Sequence, residues 1–137
     1  MSGFNDFLRD SLVKTIFQNA AYTTVGTRFV ALFTANPNSA GGGTEVSTVG
    51  TGYNRMPMST ANWTTNAIGG VTNNAAIQFT NNAPGGWGTV TGVAIIQTSV
   101  TGAGNYEFWG PLTANVTVNA GDIVQFSSAS LTITLTS

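Results

Sequence analysis

General acid–base catalysis needs a titratable side chain poised near the working pH. This sequence offers Asp6, Asp10, Glu45, Glu107, Asp122, Lys14 and three tyrosines, and it contains neither histidine nor cysteine. A thiol nucleophile, a histidine base, a disulfide framework and a zinc finger are thereby excluded. Glycoside hydrolysis would need two carboxylates flanking one sugar linkage. Glu107 and Asp122 are the carboxylates of the strand-rich half, and nothing in their spacing brings them together. Asp122 follows Gly121 and reads as a turn residue. Glu107 opens a strand and is placed to pair with Arg28 or Arg55. No G-x-S-x-G, Walker or Rossmann glycine pattern is present. Gly41-Gly42-Gly43 runs into Thr44-Glu45 rather than Lys-Thr, which reads as a flexible loop and not a phosphate cradle. Five scattered acids do not make a calcium site. The expectation is a non-enzymatic protein with no cofactor and no metal.

Trp63, Trp87 and Trp109 are the other side chains with functional reach. Exposed among Asn and Thr they would stack on sugars. Large aromatics are mostly buried, so a core or interface position is favoured. Asn62-Trp63-Thr64 and Asn115-Val116-Thr117 match the glycosylation pattern. Without a signal peptide they read as chance matches, and the first ten residues lack the apolar stretch of such a peptide.

The scaffold that must position these residues is short of charge. Only 7% of the 137 residues are charged, with a net charge of −1. No charged residue occurs from Met56 through Tyr106. A nucleic-acid binder needs a basic face, which this composition excludes. No apolar run reaches the length of a membrane helix. Hydrophobic residues make up 42%, enough for one core. Thr, Gly, Asn and Ser together supply 63 of the residues. Thr suits strands, whereas Gly and Asn suit turns. So few charges give weak protection against self-association. The composition therefore predicts a subunit of an assembly, a homo-oligomer, with a monomer solvated by its hydroxyls and amides as the alternative.

One helix is expected, over residues 4–21. Phe4, Phe7, Leu8, Leu12, Ile16 and Phe17 recur at spacings of three and four, and Val13 and Ala20 widen the stripe. Ser2 or Asn5 caps its start, and Gly26 ends any continuation. The helix either covers an opening of its own sandwich, the favoured reading, or docks on a neighbouring subunit. After Gly26 the period becomes two. Arg28 to Thr34 is apolar on both faces, as in a strand covered on both sides. Asn36 to Gly43 is loop. Glu45 to Val49 and Tyr53 to Ser59 read as edge pieces, the latter because of Pro57. Ala75–Thr80, Gly88–Thr98, Tyr106–Leu112, Ile123–Ser127 and the alternating Leu131–Leu135 read as strands. The stretch 62–74 yields no clear pattern. About eight short strands between turns predict an all-β, jelly-roll-like β-sandwich over 27–137, with the helix part of the same single domain, 1–137.

An ordered set of segments carries a family resemblance. Phe29-Val30-Ala31-Leu32-Phe33-Thr34-Ala35-Asn36-Pro37 precedes Gly43-Thr44-Glu45-Val46-Ser47 and Gly52-Tyr53-Asn54-Arg55. Trp87-Gly88-Thr89-Val90, Phe108-Trp109-Gly110-Pro111-Leu112-Thr113, Val118-Asn119-Ala120-Gly121-Asp122 and Leu131-Thr132-Ile133-Thr134-Leu135 follow. In order and spacing these segments resemble a family of short tailed-phage virion proteins of tail-fibre-like type, along nearly the whole chain. The resemblance implies a structural role in the virion and no catalytic residues. The first expectation is a capsid decoration (cement) protein that bridges capsid subunits. The alternative is a small tail-fibre or tail-tip component that touches the host receptor. The implied partners are the major capsid protein or neighbouring tail proteins, with no nucleic acid and no membrane. Arg28 and Arg55 are the expected charged anchors of an interface, Phe4 and Phe7 the apolar ones, and Trp63 an aromatic one.

Overall fold

The computed structural model describes residues 3–67, 69–80 and 84–134. Strand β1 (Gly3–Phe4) leads into helix α1 (Asp6–Gln18), and β2 (Thr27–Ala35) follows. Two short strands, β3 (Thr44–Glu45) and β4 (Met56–Ser59), come next, then a 3₁₀ turn at Thr60–Asn62. The chain continues through β5 (Trp63–Thr65), β6 (Gly70–Asn73), β7 (Ile77–Thr80) and β8 (Gly88–Ile96). It finishes with β9 (Tyr106–Val118), β10 (Ile123–Phe126) and β11 (Thr132–Thr134). Among the described residues this is an all-β sandwich with one N-terminal helix, built from eleven strands where the sequence suggests about eight.

The main sheet is antiparallel, in the order β1-β9-β8-β2-β3, and β4 shares the far edge of β2 with β3. Val30, Ala31, Leu32 and Phe33 in β2 are all fully buried. Successive side chains point to opposite faces, so β2 is covered on both, as its sequence predicts. Val30 and Leu32 join Val93 and Ile95 of β8 in the large core. Ala31 and Phe33 join Ala94 and Ile96 in a second cluster, with Tyr106 and Trp109 packed against it. The opposing layer consists of the β7–β10 pair and the β5–β6–β11 sheet. It brings Ile77, Phe79, Val124, Leu131 and Ile133 into the large core. The alternation of Leu131 and Ile133 with exposed Thr132 and Thr134 is as expected, and Leu135 lies outside the described residues.

Several boundaries differ from the sequence reading. Tyr106–Val118 is one continuous strand, because β8 pairs with it from Gly88↔Val118 to Ile96↔Tyr106. The register shifts between Val90 and Gly92, where Gly92 faces Pro111. The edge piece expected over Glu45–Val49 is reduced to Thr44–Glu45. Residues 62–74 hold a hairpin, β5–β6, in register from Trp63↔Asn73 to Thr65↔Val71. Asn66 closes its turn, with the Gly70 N–H donating to Asn66 Oδ1 at 2.7 Å. Asn73, fully buried, links this sheet to its neighbours. Its amide donates to the carbonyls of Ala75 and Ser127 at 2.8 Å each, and its oxygen accepts the Leu131 N–H at 2.9 Å.

The helix is shorter than residues 4–21. Asn5 caps it, with Oδ1 accepting the Phe7 N–H at 2.9 Å. Asn19 ends it in the left-handed conformation at φ 53°, a position that Asn and Gly tolerate best. Phe4 is therefore not helical. It lies in β1, opposite Phe108, with the two rings 5.2 Å apart. The favoured cis packing of the helix also needs correction. Only Leu8 of α1 is buried, and residues 12–21 are all exposed. The first turn docks beside β9, and the next turns stand over an open cleft toward Tyr22 and Gln97.

Candidate functional site

Two buried ion-pair clusters fix the loops and the helix on one side of the molecule. The first is centred on Glu107, which opens β9 and is 1% exposed. Its Oε1 accepts the Tyr22 hydroxyl at 2.6 Å and Gln97 Nε2 at 3.0 Å. Arg28, on β2, donates through Nε to Oε2 and through Nη2 to Oε1. Arg28 also donates through Nη1 to the Val25 carbonyl at 3.2 Å. The Glu107 backbone carbonyl accepts the Asn5 N–H at 2.9 Å. One residue thus anchors the chain just before α1 and just after it.

The second cluster joins Glu45 and Arg55 in a two-pronged pair. Nε and Nη2 donate to Oε1 and Oε2, both at 2.7 Å. Nη1 donates to the carbonyls of Thr98 and Ala103 at 2.8 and 2.9 Å. Glu45 Oε1 also accepts the Tyr53 hydroxyl at 3.0 Å, and Oε2 accepts the Gly102 N–H at 2.9 Å. The Tyr53 oxygen in turn accepts the Leu32 N–H at 2.9 Å. Loops 46–55 and 97–105 are therefore clamped to β2 and β3. The fork geometry of arginine suits this task in a way a lysine point charge does not.

The residues expected to bind partners are distributed as follows. Arg28 is half-buried and pairs with Glu107, one of the two carboxylates considered from the sequence. Arg55 is 3% exposed and directs its donors inward. Phe7 is half-buried in the first turn of α1 and lines an open cleft with Tyr22, Val25 and Gln97. Trp63 is half-buried against the large core. Trp87 is 5% exposed, with its indole N–H donating to the Thr51 carbonyl at 2.8 Å. Trp109 is half-buried, and its indole N–H has no hydrogen-bond partner among the described residues.

Glu107 and Asp122 stay apart. The strand between them would extend about 35 Å. Asp122 serves its turn, with Oδ2 accepting the Asn119 N–H at 2.8 Å. Asn38 orders the glycine loop by accepting the Ala40 and Gly42 N–H groups at 2.9 and 3.3 Å. Among the described residues no cluster of three or more acidic side chains is placed to hold a metal ion.

Sequence reasoning missed the exposed apolar side of α1. Leu12, Val13, Ile16 and Phe17 are 37%, 54%, 71% and 79% exposed. The stripe itself is visible in the sequence, but which way it faces depends on the two Glu107 anchors. A second open surface is a groove between β9 and β10–β11, about 420 Å³ in volume and without a charged side chain. Its apolar lining includes Leu112, Val116 and Phe126.

All three tyrosines hold their protons more tightly than usual. For Tyr53, burial is the main cause and the Glu45 charge adds to it. For Tyr22, burial comes first and the hydrogen bond and charge of Glu107 follow. For Tyr106, burial again leads, with Glu45 second. An unfolded tyrosine ionises near pH ~10. Above that pH the unfolded chain binds fewer protons than the native one, so stability falls as pH rises; below it the contribution is fully present. Absorbance titration at alkaline pH should show native phenolate forming later than in denaturant. Coincident curves would contradict this placement of the tyrosines.

A family model described as Podophage GP4 fiber I protein gp80 matches residues 3–134. No curated protein matches the chain.

Proposed function

Because the chain belongs to the Podophage GP4 fiber I protein gp80 family, we propose that it is a small fibre or tail-tip component that joins other virion proteins and contacts the host surface. It is a structural protein of the phage virion. The observation that carries the fibre reading is the family match itself, which spans nearly the whole chain. That match favours the tail over capsid decoration, the first expectation from the sequence. The role works by binding alone. Its surface is rich in hydroxyls and amides and poor in charge, which suits contacts with neighbouring subunits or glycans. The charge-free groove between β9 and β10–β11 is the concave surface offered to such a partner.

Immunogold labelling of intact virions tests the assignment. Gold confined to the tail is expected. Gold spread over the head would overturn the fibre reading and restore decoration. Purified protein should also bind host cells and compete with phage adsorption. Tail labelling without cell binding would leave a fibre subunit and remove the receptor contact.

A further inference from the structure

A pocket at the start of α1 holds a polar atom that the chain leaves unused. It lies between residues 5–7, the glycine loop at 40–41 and residues 102–106, and its volume is about 480 Å³. That is within the range of small-ligand sites. Asn5, at its base, is 4% exposed. Its Oδ1 caps the helix by accepting the Phe7 N–H. Its Nδ2 is buried and has no hydrogen-bond partner among the described residues. Turning the amide over would not cure this, because the nitrogen would then face the Phe7 N–H, donor against donor. A buried donor without an acceptor is costly and uncommon. Gly41 leaves the space in front of it open. A Cβ there would lie 3.5 Å from Asn5 Nδ2 and 3.8 Å from the Tyr106 ring, with nothing nearer beyond its chain neighbours. The gap between the amide and the ring therefore has room for one more heavy atom, and the chain supplies none.

We infer that this pocket binds a neutral sugar of the host surface, one of whose oxygens accepts the free Asn5 Nδ2 donor. The polar groups select the chemistry. An unpaired donor asks for an oxygen acceptor, which a cation does not offer. Asp6 is the single charged side chain lining the pocket, so an anion would meet its carboxylate. Arg9 pairs with Asp6 but does not reach the lining. The helix terminus offers an anion little else. The Asp6 N–H is taken by the Ser39 carbonyl and the Phe7 N–H by Asn5 itself, whereas anion sites at helix starts use such groups. A sugar hydroxyl both accepts and donates, so one ligand can take the Asn5 donor and give its own proton to Asp6. Phe7 and Tyr106 supply aromatic carbon for the C–H face of a sugar ring. Tyr106 is held in place edge-on to Phe33, with centroids 5.7 Å apart. Phe7 and Asn105 also line the cleft toward Tyr22 and Gln97, so the two hollows adjoin and a second sugar unit can continue into it. The groove beside β9 has no unpaired buried donor among the described residues, which leaves it to other partners.

The inference rests on the host-contact reading and names the ligand class and the site for it. The test is NMR titration of the isotope-labelled full chain with glucose, galactose, mannose, rhamnose and N-acetylglucosamine, followed at the Asn5 side-chain amide. At least one sugar should shift that amide saturably, together with the Gly41 and Gly104 N–H signals. Asn5→Asp keeps a capping oxygen and replaces the free donor by an acceptor, so it should weaken binding about tenfold or more. Ala40→Leu leaves the cap alone and fills the pocket from an exposed position, so it should abolish the same shifts even if the first variant folds poorly. No shift at Asn5 with any of these sugars, up to their solubility, would overturn the inference. So would shifts that fall instead on Leu112 and Phe126 in the β9 groove, or binding that survives Ala40→Leu. The sugar that binds should also reduce attachment of the chain to host cells, and unchanged attachment would overturn the host surface as its source. The titration reads this pocket alone, so its failure would leave immunogold placement on the tail untouched, and gold on the head would remove the fibre reading without altering the titration.

Discussion

Glu45→Ala is expected to lower stability by about 3–5 kcal/mol, the usual cost of breaking a buried ion pair from one side. The Arg55 side chain is fully buried and its Glu45 partner is 6% exposed. Removing the carboxylate leaves the guanidinium with only the Thr98 and Ala103 carbonyls. It also strips an acceptor from the Gly102 N–H and from the Tyr53 hydroxyl. The loss should appear as a fall of roughly ten degrees or more in Tm, given the few degrees that each kcal/mol represents in a domain of this size. Glu45→Gln keeps the shape and should cost less. Arg55→Lys keeps the charge and should still lose most of the clamp, because one ammonium cannot serve both carboxylate oxygens and two carbonyls. Urea unfolding of the single and double variants would give the coupling directly. A Glu45→Ala chain as stable as wild type would show that the cluster is not holding loops 46–55 and 97–105.

Trp87→Ala should be of similar size, about 3–5 kcal/mol. Trp87 packs edge-on against the stacked rings of Tyr53 and Phe79, with ring centroids 5.4 and 6.4 Å away. Phe79 continues the row to Phe126 at 6.4 Å. The indole therefore joins the loop before β4, strand β7 and strand β10 across the core. Phe at this position would keep most of the packing. It would lose the bond to the Thr51 carbonyl, a net contribution of about 1 kcal/mol. The contrast between Ala and Phe separates packing from hydrogen bonding, with chemical denaturation as the readout. Equal losses for the two would mean that the hydrogen bond dominates and the aromatic row matters little. The result also bears on the tryptophans as glycan contacts. A core indole has no free face for a sugar, so adsorption effects in Trp87 variants would follow from unfolding.

The legible parts of this fold are those written in local periodicity. Val30 to Phe33 announce a strand covered on both faces, because four apolar residues in a row leave no face for water. Leu131 and Ile133 announce a half-buried strand by alternation. Asn5 is readable as a cap, and Asp122 as a turn residue, because short polar side chains bond their own backbone. The hairpin at 63–73 is hidden, since its stability comes from Asn66, Asn73 and pairing with β11, more than fifty residues away. The end of the helix is also hidden, because Asn19 in the left-handed conformation is one of fourteen asparagines that could have taken that part. The choice of Arg28 for Glu107 and Arg55 for Glu45 lies beyond any spacing rule, as both pairs are closed by sheet register. For the same reason the sequence shows that α1 has an apolar stripe but not that the stripe faces outward.

The anchoring of α1 on β9 sets an order of events during synthesis. Gly3 and Phe4 pair with Trp109 and Phe108, more than a hundred residues later in the chain. The Asn5 and Tyr22 anchors both wait for Glu107. As the N-terminal part leaves the ribosome first, the helix has no place to dock until β9 has emerged and paired with β8. Contacts this distant in sequence form late in folding. A prematurely terminated chain would therefore carry the helix without its orientation. Only a finished chain presents Leu12, Val13, Ile16 and Phe17 in one fixed direction.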